Sequence, residues 1–416
     1  MDSLARFWKN AYKCTEELYS GFQIDRYHDP TRQIGRQRKA TVLPHLTSRL
    51  VVYKLWRCSA FSSVFSPHMQ IRRLTHLATN SQSTITASAT PHRSDNDDGP
   101  QPRLVIPTHD ASIWRLAYLP DGRRVVTGSR DGTVKVWNLE NGRQEGTTMG
   151  HESKICGLAV TQDGTNIISG DANHWKIKVW NTESHELVKE WTHTQSNPIV
   201  AISPDDRLIA VGGRAVDIYT MEGRQVNHSS GIGNRVCSMC FSPDGKKLAF
   251  STLFDDIHVY DVARGRFIVG PLRGHQDWVN FVLWSHDGSR LFSASDDKTI
   301  RCWNSDTGEQ IGHPWKGHTG PILSLSLSPV GSILASASWD ETVRFWDATT
   351  GNPIGQHLQH VDSVTTVCFS PFGESVASGG WDGKIYLWRV PWLNSVENRA
   401  RTFIRCSSVS ILIVLS

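Results

Sequence analysis

A histidine, a hydroxyl residue and an aspartate recur together at fixed spacing four times in this chain. The sets are His109, Thr127 and Asp131; His275, Ser293 and Asp297; His318, Ser336 and Asp340; and His360, Ser378 and Asp382. A tryptophan closes each set six residues after its Asp, at Trp137, Trp303, Trp346 and Trp388. Residues of these types can perform nucleophilic catalysis, with the imidazole taking the hydroxyl proton and the carboxylate orienting the imidazole. Recurrence argues against that chemistry. A catalytic triad occurs once per site and needs an exposed nucleophile, whereas four copies at constant offsets point to a repeated structural unit. The sequence also has no Gly-x-Ser-x-Gly elbow, no phosphate-binding Gly-rich loop ending in Lys-Ser/Thr and no His-Glu-x-x-His. No enzymatic activity is expected, and no cofactor.

The unit behind these sets is about forty residues long and fills the chain from His109 to Trp388 in seven copies. Its closing aromatics are Trp137, Trp180, Tyr219, Tyr260, Trp303, Trp346 and Trp388, in steps of 43, 39, 41, 43, 43 and 42 residues. Within the fifth copy, Trp278 to Trp284, Arg290 to Ser295 and Thr299 to Trp303 are short β-rich runs. Asp, Gly and Ser clusters separate them, and a weaker run follows near Gln310 to Trp315. Short strands bounded by such turn residues make a hairpin meander, so each copy is a four-stranded sheet. One such sheet leaves both faces bare; seven packed radially cover them, which is a β-propeller. The expected fold class is all-β.

Gly-His, then Ser-Pro-Asp-Gly, then Ala-Ser-x-Ser-x-Asp, then Val-x-x-Trp-Asp at these offsets resemble WD40 repeats. Tyr118 to Arg124 and Arg389 to Trp392 are similar, more narrowly, to WD40 proteins of mushroom-forming fungi. The resemblance implies that Asp, His, Ser/Thr and Trp form one hydrogen-bonded chain inside each blade, a chemically sound order because each donor meets an acceptor. Copies two, three and four depart from the pattern, the second by a longer turn at Asp171 to Lys176, the others by ending on Tyr219 and Tyr260. Ring closure should use Arg103 to Ile106 as the outer strand of the last blade, paired near Ile385 to Trp388.

The resemblance further implies that partners dock where loops into the innermost strands meet those joining second and third strands. Positions three and five after the His, and the one before the Asp, point there. They give Ser112, Trp114 and Arg130; Lys154 and Cys156; Trp278, Asn280 and Asp296; Pro321, Leu323 and Trp339; and Ser363, Thr365 and Trp381. Trp278, Trp339, Trp381 and Trp114 fall on consecutive blades, and four surface indoles on one arc would form an interface-like patch. Arg130 beside them suits an acidic or phosphorylated group. The expected partner residues are therefore Trp114, Arg130, Lys154, Trp278, Asn280, Trp339 and Trp381. Other proteins, rather than small molecules, are the expected partners.

Composition narrows the remaining classes. A net charge of +4 gives no global case for nucleic acid or an acidic membrane. The eight cysteines are scattered, which suits a reducing compartment, cytosol or nucleus, better than a disulfide framework. Cys237-x-x-Cys240 is half a zinc site without its other half, so no metal is expected. No apolar run reaches the ~18 residues of a membrane span. Residues 1–100 share nothing with the repeats: ten basic residues and no acid lie between Pro30 and Ser94. They read as a disordered basic extension, with a targeting segment or a gene-model artefact as the alternatives. Residues 101–393 form the expected propeller, monomeric by itself, and residues 394–416 a tail outside it. The leading function is a scaffold or adaptor. The alternatives are substrate recognition for a ubiquitin ligase and a ligand-sensing module like those of fungal defence proteins.

Overall fold

The computed structural model describes residues 99–389 except 194–197, 230, 231, 233, 254 and 255. The basic extension and the tail from residue 394 lie outside the described residues. What is described is all strand and turn, in seven sheets of four antiparallel strands.

Chain order runs through the blades one after another. The first strand, β1 (Leu104–Pro107), precedes blade 1, which is β2 (Ile113–Tyr118), β3 (Arg124–Ser129), β4 (Thr133–Asn138) and β5 (Gln144–Gly150). Blade 2 is β6 (Ile155–Val160), β7 (Asn166–Asp171), β8 (Lys176–Asn181) and β9 (Leu187–Thr192). Blade 3 is β10 (Ile199–Ile202), β11 (Leu208–Gly212), β12 (Val216–Thr220) and β13 (Gln225–Ser229). Blade 4 is β14 (Val236–Phe241), β15 (Lys247–Thr252), β16 (Ile257–Asp261) and β17 (Arg266–Leu272). Blade 5 is β18 (Val279–Trp284), β19 (Arg290–Ser295), β20 (Thr299–Asn304) and β21 (Gln310–Lys316). Blade 6 is β22 (Ile322–Leu327), β23 (Ile333–Ser338), β24 (Thr342–Asp347) and β25 (Pro353–Gln359). Blade 7 takes β26 (Val364–Phe369), β27 (Ser375–Gly380) and β28 (Lys384–Arg389), and is completed by β1.

The turns follow from their residues. In the first hairpin of blade 1, Asp121 Oδ1 accepts from the backbone N–H of Arg123 (2.8 Å) and Arg124 (3.0 Å), which frees the chain to reverse at Gly122 (φ +68°). Closure of the ring is tighter still. Leu104 pairs with Leu387, Val105 with Tyr386 and Ile106 with Ile385, the register expected for a chain that fastens its two ends in one sheet. The N–H groups of Thr108 and His109 both donate to the Gly383 carbonyl at 3.1 Å. Gly383 (φ +70°) has no room for a side chain there, because a Cβ would sit 2.3 Å from the His109 carbonyl oxygen.

The apolar core lies between blades rather than inside any one of them. Blades 5 and 6 meet through Phe292, Ile300, Trp315, Ile322, Leu325 and Trp346. Blades 7 and 1 meet through Ile106, Ile113, Leu116, Trp137, Ile385 and Leu387. Each sheet thus buries both faces against its neighbours, the reason a flat four-stranded unit is stable only in the ring.

Candidate interaction surface

The recurrent sets lie inside the blades as connected chains. In blade 5, His275 Nδ1 is 2.8 Å from Asp297 Oδ2, His275 Nε2 is 2.7 Å from Ser293 Oγ, and Trp303 Nε1 donates to Ser293 Oγ at 2.8 Å. Blade 6 repeats these distances with His318, Asp340, Ser336 and Trp346. In blade 1, His109 meets Asp131 at 2.9 Å and Thr127 at 2.8 Å, and Trp137 donates to Thr127 at 3.0 Å. An ionised Asp only accepts, so Nδ1 carries the proton and Nε2 accepts from the hydroxyl. Thr127, Ser293, Ser336 and Ser378 are all fully buried. A hydroxyl sealed beneath its own blade cannot attack a substrate from solvent, so these sets hold strands together.

Four blades depart from that arrangement or replace it. Blade 7 keeps His360 against Ser378 (3.1 Å) and Trp388 on Ser378 (2.9 Å). Its Asp382, however, accepts from the Tyr386 hydroxyl at 2.6 Å. This corrects the expected His360–Asp382 link: Tyr386 stands where blades 1, 5 and 6 have Lys135, Arg301 and Arg344, and its hydroxyl reaches the carboxylate. In blade 2, His151 meets Ser169 (2.7 Å) and Trp180 donates to Ser169 (2.8 Å), with Asp171 at 3.6 Å from the far imidazole nitrogen. Blade 3, which has no Asp at the usual turn, pairs His193 with Asp217 from β12 at 2.7 Å. Among the described residues blade 4 shows no such chain, and its Tyr260 hydroxyl is buried without a hydrogen-bond partner there.

These groups make stability depend on acid. Burial pushes the His360 imidazole down to about 4, and burial, opposed by the Asp340 hydrogen bond, also lowers His318. Burial would raise the Asp131 carboxyl, but hydrogen bonds from His109 and Thr133 outweigh it and hold it at about 2. The unfolded chain therefore binds protons that the folded one refuses. The His contribution is complete above the unfolded value of about 6.5 and is lost as pH falls toward 4; the Asp contribution is lost below that. His360 alone should cost about 3 kcal/mol of stability across that interval. Urea midpoints that stay level from neutral pH down to 4 would refute this.

Two of the three rim positions in a repeat are joined by a backbone hydrogen bond. The residue before each Asp is tied by its N–H to the carbonyl three after the His: Arg130 to Ser112 (2.9 Å), Asp296 to Trp278 (2.9 Å), Trp339 to Pro321 (2.9 Å) and Trp381 to Ser363 (3.0 Å). Trp114, Trp339 and Trp381 are half-buried, and the Trp339 and Trp381 rings sit 6.4 Å apart at a tilt of 48°. Lys154 Nζ lies 5.3 Å from the centre of the Trp114 ring.

Two expected contact residues are not on the surface. Trp278 is 5 % exposed and Asn280 7 %. Asn280 Nδ2 instead donates to Asp296 Oδ1 (2.6 Å) and across to the Ile322 carbonyl of blade 6 (2.9 Å). The same register position bridges elsewhere: Cys156 Sγ donates to the Pro198 carbonyl at 3.2 Å, and Thr365 Oγ1 to the Ile113 carbonyl. A short polar side chain here reaches the next inner strand and becomes a latch between blades. One cation was missed. Arg235 stands immediately before β14 as Lys154 stands before β6, but its repeat has no His from which to count the offset. Counting back from the strand start would have found it.

Among the described residues, Cys156, Cys237, Cys240, Cys302 and Cys368 form no disulfide with one another. Among the described residues no cluster of His, Cys, Asp and Glu is arranged to hold a metal, and no helix is long and apolar enough to cross a membrane.

The WD40 family model (WD domain, G-beta repeat) matches residues 100–138, 142–181, 267–304, 308–347 and 351–389. Each segment covers the three inner strands of blade 1, 2, 5, 6 or 7 together with the outer strand before them; the three inner strands of blades 3 and 4, which end on Tyr219 and Tyr260 instead of Trp, are unmatched. Translation initiation factor 3 subunit I of Coccidioides immitis is 36% identical over 145 residues, 34% of this chain and 42% of that protein. Periodic tryptophan protein 2 of Arabidopsis thaliana is 29% identical over 186 residues, 42% of this chain and 20% of that protein. Telomerase protein component 1 of Mus musculus is 25% identical over 178 residues, 42% of this chain and 7% of that protein. The chain thus spans less than half the length of each of these relatives. Five matched repeats and seven closed four-stranded sheets establish that this chain carries WD40 repeats and folds as a seven-bladed propeller.

Proposed function

We propose that this protein is a non-catalytic scaffold that binds other proteins on the rim carrying Trp114, Trp339 and Trp381. The observation behind this reading is the placement of those three indoles. They are half-buried beside the β-turns of blades 1, 6 and 7, which are neighbours in the closed ring, and none is the closing Trp of its repeat. Large amphipathic side chains of this kind supply most of the binding energy at protein interfaces, while the polar chemistry of the repeats is consumed inside the blades. Relatives named as a subunit of an initiation factor and a component of telomerase support a role within assemblies. Free cysteines and scattered charge support a place in the cytosol or nucleus. Likeness to the WD40 proteins of mushroom-forming fungi, carried by Tyr118 to Arg124, is the narrower affiliation we favour.

Affinity capture tests the reading directly. The full chain is compared with one carrying Trp114→Ala, Trp339→Ala and Trp381→Ala, with the melting temperature and circular dichroism of both recorded. Partners absent from the folded variant are the expected result. A folded variant that retains every partner would sink the rim assignment. Cullin-type components among the partners would favour ubiquitin-ligase recognition over a general scaffold.

A further inference from the structure

Lys154 Nζ lies 5.3 Å from the centre of the Trp114 ring, and Arg130 and Arg235 are further cations at strand ends of blades 1 and 4. Arg130 is exposed after β3, Lys154 is half-buried before β6, and Arg235 is half-buried before β14. Burial lowers the pKa of Lys154, and repulsion from Arg130 and Arg235 lowers it further. Some basic side chains elsewhere find acids: Arg124 reaches Asp121 and Glu183, Lys176 reaches Glu152, and Lys247 reaches Asp306. Among the described residues none of the three has an ion-pair partner, and the Arg235 Nε is buried with no hydrogen bond. Arg115, whose Nη1 donates to the Trp114 carbonyl at 3.1 Å, adds to the positive field sensed by Cys156. Asp171 of blade 2 is fully buried and already accepts from the His174 N–H at 3.0 Å.

Like charges crowded at a half-buried position oppose folding unless something offsets them. An external anion would offset them, and an indole beside the cations would supply apolar contact for the chain that carries it. We propose that the mouth of blades 1, 2 and 4 around Trp114, Arg130, Lys154 and Arg235 binds an acidic peptide segment, its anions being clustered carboxylates or phosphoryl groups. This rests on the rim reading above and names the partner chemistry for one arc of it.

Fluorescence anisotropy on the full chain decides the matter, with short peptides of equal length. One is rich in Glu and Asp, one is phosphoserine-bearing in a neutral background, and one is an uncharged Gln/Ser analogue; oligouridine RNA is the fourth probe. Binding of either anionic peptide, weakened at least about tenfold by Arg130→Ala with Lys154→Ala, is the expected result. Which anionic peptide binds identifies the source of the charge. The double variant should melt no lower than the wild type, because it removes repulsion rather than a contact; a structural role would lower it. Equal binding of the neutral peptide, unchanged binding by the folded double variant, or tighter binding of the RNA would overturn the proposal. Partners captured in cells that are lost with Trp339→Ala and Trp381→Ala, with no anionic peptide bound, would leave the rim reading intact and remove this one.

Discussion

A chain that begins at Thr108 should unfold far more easily than one that begins at Gln101. The four residues of β1 form the outer strand of blade 7. Ile106 is 2 % exposed and Leu104 packs on the same cluster, with Ile113, Trp137, Ile385 and Leu387. Removing both is equivalent to two large-to-small core changes at the one seam where the ring's ends meet. At about 2–5 kcal/mol each, the loss is about 4–10 kcal/mol. It also strips β28 of its outer partner and leaves an unpaired edge. The control is a chain lacking residues 1–100, which retains β1 and should melt like the full protein. Equal melting temperatures for the two truncations would show that blade 7 closes without β1.

Replacing Trp346 by Ala should cost about 3–5 kcal/mol. The indole is 1 % exposed, lies 6.2 Å from the Trp315 ring and 6.1 Å from the His318 ring, and joins blades 5 and 6. Its N–H donates to Ser336 Oγ at 2.8 Å, so the substitution removes both filling and a hydrogen bond. Trp346→Phe separates the two contributions. It keeps most of the volume and loses the N–H, at about 1 kcal/mol. Denaturant titrations of the two variants give the split directly. An alanine variant within 1 kcal/mol of the wild type, an order-of-magnitude bound for a surface substitution, would mean that the blade seam carries little of the stability. Tyr219 and Tyr260 occupy the same position in blades 3 and 4, so a ring without the indole N–H is tolerated where neighbours accommodate it.

Much of this architecture was legible from the chain alone. The closing aromatics, the turn aspartates and the alternating strands recur at one period, and strand pairing within a sheet joins residues close in sequence. Resemblance to the WD40 repeats implied that His318, Ser336, Asp340 and Trp346 form one hydrogen-bonded set, and they do. The shortage of strand after Trp388, with the same resemblance, placed β1 against β28.

What the repeat cannot encode is what the next blade presents. Asn280, Cys156 and Thr365 share a register position that by offset alone reads as rim, yet each reaches a backbone carbonyl at or just before the following inner strand. Trp278 and Ser112 are buried, whereas Lys154, Pro321 and Ser363 at the same offset are half-buried. Asp382 turns from His360 to Tyr386, and Asp217 supplies from β12 the carboxylate that blade 3 lacks in its turn. Lys154 of blade 2 comes to lie 5.3 Å from the Trp114 ring of blade 1, a contact that no offset within one repeat encodes. Period and register are local properties of one sheet, so the sequence determined the seven blades and the hydrogen-bonded sets within them. Contacts between blades depend on side chains some forty or more residues apart, and only the closed ring decided which of these became latches and which remained available to a partner.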